Sequence, residues 1–134
     1  MSGENVEAVS ELLQAYERGG TEAALELVAP DFELTMPSSY PGANRGFHGR
    51  ESARQALEDW IDSFENFRVE TEELIDAGEK VIAVVRESGR MRGSTTRIEA
   101  PFTAVFTFDW HGRVARLDWF TDRAEVLEAV GLRE

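Results

Sequence analysis

Val6, Val9, Leu13 and Tyr16 recur at three- and four-residue steps between acidic and polar positions. That period predicts an amphipathic helix over residues 3–18 with one apolar stripe. Gly19-Gly20 ends it, and Thr21 is placed to cap a short second helix bearing Ala24, Leu27 and Val28. Pro30-Asp31 breaks that helix, after which Phe32, Leu34 and Met36 alternate with Glu33 and Thr35. Alternation at period two predicts a half-buried strand. The Pro-, Gly- and Ser-rich stretch 37–49 reads as one long loop, a type of segment often used as a lid or binding loop. A third helix, roughly 50–64, carries Ala53, Leu57, Trp60, Ile61 and Phe64 on one side.

Three strand-rich stretches follow at 66–77, 79–92 and 97–121, the last divided by the turn Asp109-Trp110-His111-Gly112. Val81–Val85 is apolar without alternation, which predicts burial on both faces. On 102–108, Phe102, Ala104, Phe106 and Phe108 share one face, and Thr103, Val105 and Thr107 the other. Asp122 and Glu125 have capping-box spacing ahead of a final helix stopped at Gly131. Helices first and an antiparallel meander afterwards define an α+β domain. Helices can cover only one side of such a sheet. The other side calls for a second copy of the chain, a homodimer with Val85, Val105 and Phe120 near its centre.

With 134 residues, 42% hydrophobic and 30% charged, the chain is one domain over 1–134 able to bury a core. The absence of cysteine excludes disulfides, thiolate metal sites and a cysteine nucleophile. No apolar run approaches the roughly 18 residues of a membrane span. The acidic start, MSGENVEAVSELL, is unlike a signal peptide, so a cytoplasmic location is expected. The net charge of −12 is uneven, with 18 acids and 5 bases in residues 1–79 and 8 acids and 9 bases in residues 80–134. Nucleic acid and anionic membranes are poor partners for that surface. No phosphate-binding glycine loop or nucleophile elbow is present, and no cofactor is expected. His48 and His111 lie far apart without carboxylates at ligand spacing, so no metal site is expected either.

The phrases ENVEAVSELLQAYERGG, LELVAPDFEL, GFHGRESARQAL, LIDAGEKVIAVVRESGR and HGRVARLDWFTDRAEVLEAVGL, in this order, resemble the SnoaL-like group of the nuclear transport factor 2-like (ketosteroid isomerase-like) superfamily. The resemblance covers about residues 3–132. It implies a cone-shaped α+β barrel of the cystatin-like type, in which a curved, mostly antiparallel sheet wraps around N-terminal helices. It also implies a pocket at the wide end and dimers joined through the outer sheet face. The superfold hosts many activities, so function has to be argued from the site. The tyrosine, base aspartate and oxyanion-hole aspartate of the ketosteroid isomerases fall on Leu12, Met36 and Ala104. The acid/base aspartate of the polyketide cyclases falls on Trp119. Asp118 is adjacent, but one residue along a strand is the opposite face. The Asp-Arg-Asp set of the epoxide hydrolases cannot be assembled facing inward. Each of these proton-transfer sets is missing.

Alternation then places Phe32, Leu34, Met36, Phe67 and Val69 inward, followed by Ile82, Val84 and Arg86, then Phe102, Ala104 and Phe106, and last Leu117, Trp119 and Thr121. Tyr16, Trp60 and Phe64 close over them from the helices. The expected ligand pocket is therefore Tyr16, Met36, Trp60, Phe64, Val84, Arg86, Phe102, Ala104, Phe106, Leu117 and Trp119, apolar and aromatic as small-molecule sites are. The alternative is a fully packed core. Arg86 is expected to point inward and hold an anionic ligand oxygen; the alternative is an arginine paired to a protein carboxylate. Two function classes follow. One is a binder of a small apolar or aromatic ligand. The other is an isomerase, cyclase or hydratase using an unusual set such as Tyr16, His48 and Arg86. An inward carboxylate or histidine favours the second. A bare dimerisation module is a third, weaker possibility.

Overall fold

The apolar stripe of the first helix is realised as α1 (Ser2–Glu17), which buries Val9, Leu12, Leu13 and Tyr16. The computed structural model describes residues 2–18, 20–36, 46–121 and 126. Among them no helix is long and apolar enough to cross a membrane. In α2 (Thr21–Leu25) the cap position belongs to Gly20, whose carbonyl accepts from the Ala24 amide at 2.8 Å. Thr21 opens the helix instead and is buried. β1 (Val28–Thr35) starts four residues before Phe32 and contains Pro30. Proline is tolerated there because β2 (Phe47–His48) pairs only with Glu33 and Leu34, and the β1–β6 register shifts between Val28 and Glu33.

α3 (Arg50–Asp62) leads into β3 (Phe64–Asp76), β4 (Lys80–Met91), β5 (Arg97–Phe108) and β6 (Val114–Phe120). The sheet order is β2-β1-β6-β5-β4-β3, and every neighbouring pair is antiparallel except β1 with β6. Two register shifts in β3, at Glu65/Arg68 and Thr71/Glu73, increase the local twist that bends the sheet. The first contains Asn66 in the left-handed conformation (φ 57°), one that asparagine tolerates better than most residues. The extra residue there lets Phe64 and Phe67, three positions apart, reach the same side, with rings 5.7 Å apart. The expectation of a single loop over 37–49 is corrected at Phe47 and His48, which form β2 against Glu33 and Leu34; residues 37–45 and the expected capping box at Asp122 and Glu125 lie outside the described residues. Of the stretch expected to form a final helix, only Val126 is described, and it is helical.

The concave face carries the main core, with Phe32, Leu34, Val81, Ala83, Val85, Ala104, Phe106, Leu117 and Trp119 packed under α1 and α3. Register decides this for β4: Val81 pairs with Phe106, Ala83 with Ala104 and Val85 with Phe102. Cross-strand partners share a face. The expectation that Ile82, Val84 and Arg86 point inward is therefore corrected; they occupy the convex face, and Val85 belongs to the core, fully buried. The unalternating run Val81–Val85 offers no period to tell its two faces apart. A second, convex cluster unites Ile82, Val105 and Val126, with Ile75, Ala77 and Phe120 against it. So the chain's own helical Val126 covers part of the face for which only a partner was expected.

Candidate functional site

Glu87 follows Val85 on the concave side of β4 and is 6% exposed. Its Oε1 accepts a hydrogen bond from Trp60 Nε1, in the last turn of α3, at 2.8 Å. Burial pushes the carboxyl up to about 7, while the Trp60 bond pulls in the other direction. Burial, with the Glu87 charge nearby, likewise holds the Tyr16 phenol well above its ordinary value. The Tyr16 hydroxyl is buried without a hydrogen-bond partner among the described residues, as is Trp119 Nε1.

An aromatic collar surrounds these groups. Trp60 meets Phe64 edge-on at 5.0 Å and Phe102 at 6.0 Å. Phe102 meets Trp119 at 6.5 Å, and Tyr16 meets Phe67 at 6.4 Å. Such edge-to-face pairs contribute beyond the area they bury. Gly89 makes room for the collar, because a Cβ built there would stand 3.1 Å from Phe64 Cβ. A glycine inside a strand marks such a close approach. Gly89 shares parity with Glu87, so that signal was available in the sequence to turn Glu87 inward, and the sequence reading missed it.

Open space lies beside the collar rather than at the centre of the cone. The centre, around Phe32, Phe106, Leu117 and Trp119, is filled down to a void of about 20 Å³, little more than one water requires. A groove of about 930 Å³ runs between α1, α2, the end of α3 and β3. Of the expected pocket residues, Tyr16 and Phe64 line this groove, joined by Ile61, Phe67 and Val69. Met36 and Ala104 are buried in the core, and Trp60 and Phe102 stand half-buried in the collar.

Tyr16, His48 and Arg86 are not brought together. Arg86 Nε reaches Glu72 at 3.3 Å and its NH1 lies 3.8 Å from Glu99, all on the convex side. The expected anion anchor is thus a surface arginine in ion pairs, and Val84 sits beside it outside the pocket. His48 does not reach the pocket mouth; its Nδ1 lies 3.4 Å from Glu33 on the convex edge. Arg116 bridges Glu33 and Asp118 there, and Thr35 donates to Asp118 at 2.7 Å. His111 is exposed in the β5–β6 turn, stacked on Trp110 at 3.8 Å.

The SnoaL-like domain family matches residues 9–117. Among solved structures, a nuclear transport factor 2-like protein of Burkholderia thailandensis superposes with a TM-score of 0.78 at 25% identity, covering 93% of this chain and 95% of its own. One of unknown function from Burkholderia pseudomallei gives 0.76 at 20% identity, over 95% and 97%. A third, from Burkholderia xenovorans, gives 0.71 at 21% identity, over 97% and 98%. No curated protein matches. The cone of six strands around α1 and α3 is the fold these structures share, and the chain belongs to the SnoaL-like domain family.

Proposed function

We propose that this domain binds a small apolar or aromatic molecule against the aromatic collar, with Glu87 as the buried polar group that orients it. The observation that carries this reading is the groove of about 930 Å³ lined by Tyr16, Phe64 and Phe67, with the Glu87 carboxyl close enough to the Tyr16 phenol to act on it. Small-molecule sites combine apolar walls with a few placed polar groups in this way. An acidic ligand oxygen no longer fits, because the concave side offers a carboxyl where Arg86 was expected. The test is a calorimetric screen of aromatic amines, alcohols and ketones. Hits should lose about tenfold or more in affinity in Phe67→Ala, which removes one wall of the floor. Hits unaffected by Phe67→Ala would place the ligand elsewhere.

The second reading, an isomerase, cyclase or hydratase, is favoured by Glu87 itself. A carboxyl poised at about 7 can both give and take a proton near neutral pH. Glu87→Gln separates the two readings. A binder shows no turnover in either form and loses affinity for the hits that Glu87 orients, whereas an enzyme loses turnover while retaining binding.

The convex face supports a further proposal, a homodimer. With Val85 in the core and Val105 under Val126, its centre shifts to the cross-strand row Val84–Thr103–Phe120. All three are half-buried. Sedimentation at micromolar concentration is expected to give twice the 15.0 kDa chain mass, and Val84→Glu to shift it towards monomer. A wild-type monomer would sink the proposal.

A further inference from the structure

The charges around the groove do not balance. Glu17, Glu22 and Glu26 reach it from α1 and α2, and Glu58 and Asp62 from α3. Arg92 is the one cation among its described lining residues. Its guanidinium is committed to the backbone, with Nε donating to the Asp62 carbonyl at 2.8 Å and NH2 to the Phe64 carbonyl at 3.2 Å. Arg54 holds Glu58, but among the described residues Glu17 accepts only from the neutral Thr71 hydroxyl at 2.9 Å. Glu22, Glu26 and Asp62 have no ion pair among the described residues.

Beneath this rim lie the rings of Tyr16, Phe64 and Phe67, and an aromatic face attracts a cation. Tyr16 gives an independent sign of a missing ligand. It is only 7% exposed and lines the groove, yet its hydroxyl has no partner among the described residues. An anion entering here meets repulsion, and a neutral apolar molecule gains burial alone. A cation on an apolar body gains burial, ring attraction and the rim's field together. We propose that the groove takes an organic cation, a substituted ammonium group carried on an apolar or aromatic body. This rests on the ligand-binding reading above and names its chemical class.

Three benzyl compounds test it by calorimetry: benzyltrimethylammonium, its uncharged carbon isostere neopentylbenzene, and the anion phenylacetate. The cation should bind about tenfold or more tightly than the isostere, and phenylacetate should not bind. Raising salt from about 0.02 to about 0.5 M should weaken only the cation. Glu22→Gln with Glu26→Gln should weaken the cation about fivefold or more and leave the isostere unchanged. Both glutamates are exposed, so the double variant should fold like wild type, as circular dichroism would show. Equal binding of cation and isostere, or binding of phenylacetate in their place, overturns the cation proposal while the ligand-binding reading stands. Silence from all three probes overturns both.

Discussion

Glu87→Gln is expected to remove a fall in stability of about 3 kcal/mol between pH 4.5 and pH 7, the energy of moving a carboxyl across that interval. In the unfolded chain Glu87 has the ordinary value of 4.5, whereas in the folded chain burial raises it to about 7. Between those values the folded state holds a proton that the unfolded state has released. Stability therefore falls as pH rises through the window, is undiminished below it, and falls no further above it. Glutamine keeps an oxygen for Trp60 Nε1 and carries no charge. The two proteins should be nearly equal in urea melts at pH 4.5, and the variant more stable by about 3 kcal/mol at pH 8. Other carboxylates tilt both curves alike, so the difference between them isolates Glu87. A difference that stays constant across pH would show that Glu87 is not buried as a proton-binding group.

Phe106→Ala is expected to cost about 3–5 kcal/mol, the usual price of deleting a fully buried ring. Phe106 is completely buried on β5, between Val81 of β4 and Leu117 of β6 in register. Those neighbours are held by the sheet's backbone hydrogen bonds and cannot collapse into the space a ring leaves. The site also borders the existing void of about 20 Å³, which the deletion would enlarge. Against a total stability of about 5–15 kcal/mol, the loss is a large fraction. Thr103→Ala, on the convex face of the same strand, should cost under about 1 kcal/mol. Denaturant midpoints at constant slope give both values, and similar costs at the two positions would contradict the assigned parity of β5.

Legibility varied from strand to strand for identifiable reasons. On β1 and β6, polar residues such as Glu33, Thr35, Arg116 and Asp118 interrupt the apolar ones, so the inward set Phe32, Leu34, Leu117 and Trp119 could be read directly. β5 carries the same information in Phe102, Ala104 and Phe106 against Thr103 and Thr107. On β4 the run Val81–Val85 is apolar on both faces because one face meets the core and the other meets Val126. That ambiguity turned Arg86 inward and left Glu87 out of the expected pocket, and so changed the expected charge of the site. The groove was harder still. It is bounded by the ends of α1, α2 and α3, whose approach no local period encodes.

Chain-local chemistry was thus enough for the order of the helices and the long strands, though not for the two-residue β2, and for the concave faces of β1, β5 and β6 and the α+β class, since each depends on the spacing of apolar residues within a few turns or steps. Long-range contacts decided the rest. Pairing of Val85 with Phe102 set the parity of β4. The shift at Asn66 brought Phe64 and Phe67 to one side. The approach of α3 placed Trp60 on Glu87. A carboxyl's environment depends on what packs over it from distant parts of the chain, and that is why this site emerged only once the strands were in register.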